Sequence, residues 1–429
     1  MSSKTISSLA PDNDYPLNLP EFTVLERREL PPNKVLYIVT PKNPISRECP
    51  NCGNKLHIHK KSELKVRDLD EYGKEVGILI KADSYICKTC GNTVREKFPS
   101  IQKQMTTRLV EAIKRDSFRE GTFTDVAKRY HVSISKVQSI FEERGAEYLS
   151  KYRLVTPPVL GIDEVHLNNA YYGVYVREDV NNGRIIEISE SRNKQAVIEV
   201  LKRMEEPENL RYVTMDMWRP YRDAVAQVFP NAPVIIDRFH VIKELQKCLD
   251  KIRSDTCKTI TNTRVRKSLK NNRFLLLSSR ENLSPSNIAK LNQLLINYPQ
   301  FEIPYILKES FRNIYAFATT KDEALAMFEE WVDECRKHGV TAYDSFIQTV
   351  YNWRPEIFAY FDFRGGNRTN AQTEGLNRSI RNLARDGRGY SFQNLRLKLL
   401  FGEKTPSSTR FNFNEFFLAD WEDEDKDDD

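Results

Sequence analysis

No run of the 429 residues is apolar for long enough to span a bilayer, and the opening MSSKTISSLAPDNDYPLNLP lacks the basic-then-apolar pattern of a secretion signal. Both absences argue against membrane and exported proteins and predict a cytoplasmic location. Internal repeats are absent, and so is low complexity outside the extreme C-terminus. Cysteine is scarce and odd in number, seven in all, so a disulfide framework is excluded. Three cysteines, Cys248, Cys257 and Cys335, are scattered singly, while the other four stand in two CxxC pairs, which suits a reducing compartment and a metal.

What the chain does have is length for roughly two to four domains, enough apolar residues (40%) for packed cores, and charge. The formal +6 understates the basic character of the body. The last eleven residues, ADWEDEDKDDD, hold eight acids and one lysine, and without that net −7 the remainder carries +13. A basic remainder implies a polyanionic partner. The tail itself reads as a solvated, disordered end, with a nucleic-acid mimic that damps non-specific binding as the alternative.

The pairs lie in CPNCGN and CKTCGN, so that Cys49, Cys52, Cys87 and Cys90 form two matched knuckles. Each turn aims two thiolates at one ion, with Gly53 or Gly91 relaxing the backbone, and four thiolates complete a structural Zn²⁺ site with no open position for catalysis. The long spacer between them, KVRDLDEYGKEVGILIKADSYIC, reads as a hairpin extending from this ribbon. Helical periodicity follows over 106–145 around two breaks. Thr124 is the expected cap of one helix and Ser133 of the next, with a turn at Tyr130 and His131, where glycine would be easier. Val126, Ala127, Val132, Val137 and Ile140 would form the shared core. This predicts a helix-turn-helix whose second helix, about 134–143, presents Ser135, Lys136 and Gln138 to DNA, a plain helical hairpin being the competing reading.

From 159 the pattern changes to strands: VLGIDEVHL, YYGVYVRE and RIIEISES, the last two joined by the hairpin turn VNNG, then a helix at about 193–206, RYVTMD, a helix from Pro220, and PVIID. From about 241 to 360 helical signals replace strands, as if a helical block were inserted. The chain therefore divides into an N-terminal segment (1–45), a zinc ribbon (46–100), a helix-turn-helix (101–150), a mixed α/β part (155–240), the helical insertion (241–362), a basic C-terminal helix (363–410) and the acidic tail (411–429).

Asp163 stands in the middle of an apolar strand, where a lone carboxylate is costly. Asp216 ends VTMD, Asp237 ends VIID, and Glu374 is one of two acids among eight basic residues between Arg364 and Lys398. At 100° per residue, Arg378, Arg381 and Arg385 fall near the face of Glu374. Asp163, Asp216 and Glu374 suit two Mg²⁺ (or Mn²⁺) ions acting on a phosphodiester, with the arginines on the phosphate backbone. For any one of these aspartates, ending a strand or accepting a hydrogen bond is the plainer reading. Glu164 is expected on the opposite face as a solvent or salt-bridge residue. His166 lies on that face and has no assigned chemistry. Trp218 and Trp353 are expected in the core, with stacking on an unpaired base as the alternative for Trp353.

Taken together, GIDEVHL, TMDMWRPYRDAV with IIDRFHV, and TNAQTEGLNRSIRNLARDGRGYSF resemble the DDE transposases of the bacterial ISL-three insertion-sequence family, over nearly the whole chain. The resemblance implies an RNase H-like catalytic domain interrupted by a helical insertion, with Asp163, Asp216 and Glu374 holding metal. Asp237 and His240 match the C/DxxH motif of the similar hAT and Mutator arrangement. His240 would then contact the scissile phosphate, or else simply cap its helix. The function implied is binding of transposon-end inverted repeats, DNA cleavage and joining of the 3′-OH to target DNA, by a nucleoid-associated homodimer or higher oligomer. Two other readings remain open: a zinc-ribbon and helix-turn-helix transcription regulator, and a metal-dependent nuclease without strand transfer.

Overall fold

The computed structural model describes residues 17–119, 121–178, 183–363 and 371–402, with the side chains of 371–374 left out. The acidic tail, the first sixteen residues and most of the VNNG turn lie outside the described residues. Chain contacts divide the molecule into two units, one formed by the N-terminal 151 residues together with the segment from Asp386 onward, the other by Tyr152–Arg385. No helix among the described residues is long and apolar enough to cross a membrane.

The first unit begins with β1 (Phe22–Leu30) and β2 (Lys34–Pro41), followed by β3 (Leu56–Lys60), β4 (Glu63–Arg67), β5 (Glu75–Lys81), β6 (Ser84–Cys87), β7 (Thr93–Arg95), β8 (Ile101–Gln102) and β9 (Met105–Thr106). These build two sheets. One has three strands in the order β3-β6-β7 and carries the cysteine knuckles; the other has six, β1-β2-β5-β4-β9-β8. The hairpin expected between the knuckles exists as β4 and β5, but it does not extend the ribbon. Instead β5 pairs in parallel with β2, Tyr37 opposite Ile78. The alternation Val35, Tyr37, Val39 and Val76, Ile78, Ile80 explains this, because both strands bury one face in the same core.

Three helices follow: α1 (Thr107–Phe118), α2 (Phe123–Tyr130) and α3 (Ile134–Lys151). Buried Asp68 accepts a hydrogen bond from Thr106 Oγ1 at 2.6 Å and pairs with Arg108, tying the start of α1 to the six-stranded sheet. The cap of α2 is Thr122 and not Thr124: Thr122 and Asp125 close a reciprocal capping box, each side chain accepting the other's backbone N–H. That shift buries Phe123. His131 takes the left-handed conformation at φ 53°, and Ser133 Oγ accepts from Lys136 N at the start of α3. Val126, Ala127, Val137 and Ile140 are buried together, with Val132 packed against them.

The second unit carries β10 (Val159–Leu167), β11 (Ala170–Arg177), β12 (Arg184–Ser189), α4 (Lys194–Lys202), β13 (Tyr212–Met215), α5 (Arg219–Val228) and β14 (Val234–Ile236). Its sheet has the order β12-β11-β10-β13-β14. The β12-β11-β10 part is antiparallel, whereas β13 runs parallel to β10 and β14 parallel to β13, because α4 and α5 supply the crossovers. Leu160 and Ile162 of β10 enter the core beneath α4 and α5. A run of helices comes next: α6 (Arg238–Thr259), α7 (Thr263–Asn271), α8 (Arg273–Leu277), α9 (Pro285–Asn297), α10 (Glu302–Phe317), α11 (Lys321–Lys337), α12 (Asp344–Asn352) and α13 (Arg354–Phe358). Phe311, Phe328, Trp331, Tyr343 and Phe346 bury their rings in the core they share with the sheet. The unit closes with α14 (Ala371–Asp386). Finally α15 (Phe392–Phe401) returns to the first unit, where Leu397 packs on the open position at Gly145 of α3.

Candidate metal centre and zinc ribbon

Register explains how three aspartates meet. Ile162 of β10 pairs with Met215 of β13, and Met215 pairs with Ile236 of β14. The next residue on each strand is Asp163, Asp216 and Asp237 respectively. Asp163 faces away from the core that takes Ile162, since side chains alternate. It is 8% exposed. Its Oδ1 accepts the Glu164 N–H at 2.7 Å, and its Oδ2 accepts from Asn377 Nδ2 of α14 at 2.6 Å.

Asp237 caps α6 by accepting the Phe239 N–H at 2.7 Å, which turns His240 one helical step later toward Asp216, Nε2 to Oδ1 2.7 Å. Ligand atoms of Asp163, Asp216 and His240 all lie within 4.8 Å of one another. Burial, then the Asp216 charge, pushes Asp163 up to about 6; burial likewise lifts Asp237 to about 6. Burial alone would lower His240, but its hydrogen bond to Asp216 and the surrounding carboxylates outweigh that and raise it.

A fourth acid had no signal strong enough to single it out in the sequence. Glu178 follows β11, fills the space left by Gly161, and accepts from Thr214 Oγ1 at 2.7 Å. Gly161 and Thr214 precede Asp163 and Asp216 by two residues each, so Glu178 lies one pleat repeat below the pair. Burial raises it to about 7. Crowded carboxylates held above their ordinary range, all hard oxygen donors, are a set that a divalent cation would relieve. Asn377 was also missed. Its signal is its spacing, three residues after Glu374 on one helix; its Oδ1 is buried without a hydrogen-bond partner.

Glu374 lies in α14, but its side chain is outside the described residues. Arg378, Arg381 and Arg385 of that helix are exposed. Ser135, Lys136 and Gln138 occupy the first turn and a half of α3, Ser135 exposed and the others half-buried. Glu164 forms an ion pair with Arg192. His166 is exposed, its ring centroid 4.6 Å from that of Tyr171 with the planes tilted by 45°. Trp353 is core, at 5% exposure with Arg222 over its ring. Trp218 is not: it is 38% exposed, because it precedes α5 at the sheet's end and stacks on the Arg192 guanidinium instead of entering the core.

In the ribbon, the two knuckles have the same local design. Gly53 N–H bonds to Cys49 O and Gly91 N–H to Cys87 O, with both glycines at φ near +70°. Sulfur separations are 3.6 Å for Cys49–Cys90 and 3.5 Å for Cys52–Cys87 and Cys52–Cys90. Four sulfurs at 2.3 Å around a tetrahedral ion would be about 3.8 Å apart, so the set fits zinc. Backbone N–H groups, Cys90's first, pull the Cys87 thiol down to about 6; for Cys90 the Asn92 N–H pulls down, but burial and then the hydrogen bonds of the neighbouring thiols outweigh it and raise the thiol to about 11. Four thiols this close ionise together only around a cation.

Comparison with known proteins agrees with this anatomy. The ISL3 family model of DDE transposases matches residues 160–399, and a model described as the zinc-finger of transposase IS204/IS1001/IS1096/IS1165 matches residues 46–90. A relative from Bordetella parapertussis, the transposase for insertion sequence element IS1001, is 22% identical over 380 residues, which cover 86% of this chain and 92% of the relative.

Proposed function

The chain belongs to the ISL3 family of insertion-sequence transposases, and from that premise we propose that Asp163, Asp216 and Glu374 form a two-metal centre that cuts transposon ends and joins them to target DNA. The carrying observation is the convergence of Asp163, in the middle of β10, with Asp216 and His240, which follow the ends of β13 and β14. The contact from Asn377 supports the third acid, since it brings α14 to Asp163 with Glu374 one turn away along the same helix. Two divalent ions, Mg²⁺ or Mn²⁺, would there favour attack by a hydroxyl and departure of the opposing oxygen at a phosphodiester.

The protein's own groups have distinct duties. Asp163 is held rigid by two donors, so its carboxylate need not reorganise when metal arrives. His240 Nε2 donates to Asp216 and fixes that carboxylate's orientation; in this role it supports the ligand instead of touching phosphate. Water attacks the end phosphodiester and displaces its 3′ oxygen as a 3′-OH; that hydroxyl then loses its proton and attacks a target phosphodiester, bonding to its phosphorus as the target's own 3′ oxygen leaves and takes up a proton. Exposed Arg378, Arg381 and Arg385 hold the strand by its phosphates.

Strand order supports an RNase H-like reading of the sheet: counted from β10, it is 3-2-1-4-5 with only the last two joins parallel. The turn at His131 and the exposed start of α3 support a helix-turn-helix, in which Ser135, Lys136 and Gln138 read the major groove. The four-cysteine ribbon holds structural zinc beside it in sequence. Double-stranded DNA is thus the partner, and with one metal centre per chain, the two ends of an element require at least two copies. The test is a strand-transfer assay with a precut end taken from the inverted repeats flanking the gene. Joined products in Mg²⁺ support the transposase; cleavage of uncut ends without joining makes the protein a nuclease, and end binding with neither makes it a regulator.

A further inference from the structure

Trp218 is the unexpected exposed aromatic, and it does not stand alone. The Arg192 guanidinium lies between two rings, 3.9 Å from the Tyr171 centroid and 4.5 Å from that of Trp218. Gly173 leaves room for Ser189 Oγ, which would stand 2.5 Å from a Cβ there and which donates to Ser191 O at 2.7 Å, beside Arg192. Tyr171 and Trp218 remain 42% and 38% exposed. Arg192 is already neutralised by Glu164, the neighbour of Asp163. A guanidinium spent on a carboxylate is a poor phosphate clamp, whereas wide π surfaces with no net charge suit a nucleobase. Trp218 lies two residues beyond Asp216, within about 7 Å along the chain. The Trp218 N–H bonds to Asp216 O at 2.7 Å, so the two Cα atoms stand at most about two base steps of 3.4 Å apart.

We infer that Trp218, stiffened by Arg192 and Tyr171, is a stacking site for an unpaired base of the DNA strand next to the scissile phosphate. The assignment rests on the transposase reading and adds to it: where the end opens by a base or two at the cleavage position, stacking on Trp218 offsets part of the lost base stacking. Because stacking is not electrostatic, the gain should be insensitive to salt.

The experiment compares the full-length protein on two probes, a blunt duplex bearing the end repeat and the same duplex with a two-nucleotide single-stranded overhang at the cleavage position. Wild type should prefer the overhang roughly tenfold, the scale of one stacked base. Trp218→Ala should lose the preference and Trp218→Phe retain most of it, with blunt-duplex affinity the same in all three. An overhang preference that survives Trp218→Ala, or is missing from wild type, overturns the inference. So does a silent Trp218→Ala beside an Arg192→Gln that flattens the salt slope on both probes, which would make Arg192 a phosphate contact. A scrambled repeat bound as tightly as the true one would instead refute end recognition, while the overhang comparison still reports on Trp218.

Discussion

Replacing Asp163 by Asn should stabilise the metal-free protein while removing its activity. Asp163 is held at about 6 in the fold against an ordinary 3.8, mainly by burial and then by Asp216. Two units at 1.36 kcal/mol each amount to roughly 3 kcal/mol of destabilisation above pH 6. The amide keeps one of the two accepted hydrogen bonds, from Glu164 N–H or Asn377, and loses the other at about 1 kcal/mol. About 2 kcal/mol remains, or a Tm rise of about 4–8 °C for a unit of this size. A carboxyl whose folded value lies above its unfolded one binds protons more tightly when folded. Wild-type stability therefore gains as pH falls from about 6 toward 4, and Asp163→Asn lacks that part of the slope. Asp237, Glu178, Asp216 and His240 face the same space and remain in both proteins; Glu178 and His240 both feel the Asp163 charge, so the difference reports Asp163 together with its effect on them. The assay is thermal unfolding at pH 5 and pH 8, with and without Mg²⁺. The ion should raise the wild-type Tm and leave the variant unmoved. A variant less stable than wild type at pH 8 without metal would refute the reasoning.

Cys49→Ser or Cys87→Ser should lose zinc and unfold the N-terminal modules while the second unit keeps its melting transition, because a four-thiolate site contributes folding free energy directly; metal analysis showing no zinc in wild type purified without chelator would contradict this. Arg381→Ala with Arg385→Ala should weaken binding of all DNA sequences alike and flatten the slope of log affinity against log salt by roughly one to two units; an unchanged slope with a lower Tm would make these arginines structural. Gly145→Ala ordinarily helps a helix by up to about 1 kcal/mol, but here its methyl would meet Leu397 Cδ1 at 2.5 Å, with Cδ2 and Cγ close behind. The expected outcome is a lower Tm of the first unit, and a rise would mean that α15 gives way without cost.

The local features of this chain were legible before its structure. CxxC spacing gave the knuckles, period-two runs gave the sheet strands, and Asp163 within a strand, like Asp216 and Asp237 after theirs, announced itself by breaking an apolar pattern. Features created by distant pairing were not. Nothing in β5 announces that it pairs with β2, since that requires two buried faces to find each other across the ribbon. Thr122 and Thr124 both suit a helix start, and only the reciprocal bond with Asp125 together with burial of Phe123 decides between them. Glu178 becomes visible only when the end of β11 is folded beside Asp163, and the spacing of Asn377 from Glu374 acquires a meaning only when α14 reaches Asp163. Trp218 looked like core because large aromatics usually are; its position past the end of β13 exposes it.

The central claim, that three acids form one metal centre separate from the end-binding modules, is tested most directly by cleavage of end DNA in Mg²⁺ by wild type, Asp163→Ala, Asp216→Ala and Glu374→Ala, with end binding measured on the same preparations. The expected result is loss of cleavage in all three variants with end binding nearly intact. Mg²⁺-dependent cleavage retained by any one of them would remove that residue from the centre, and retention by Glu374→Ala would break the link drawn from Asn377 to the third acid.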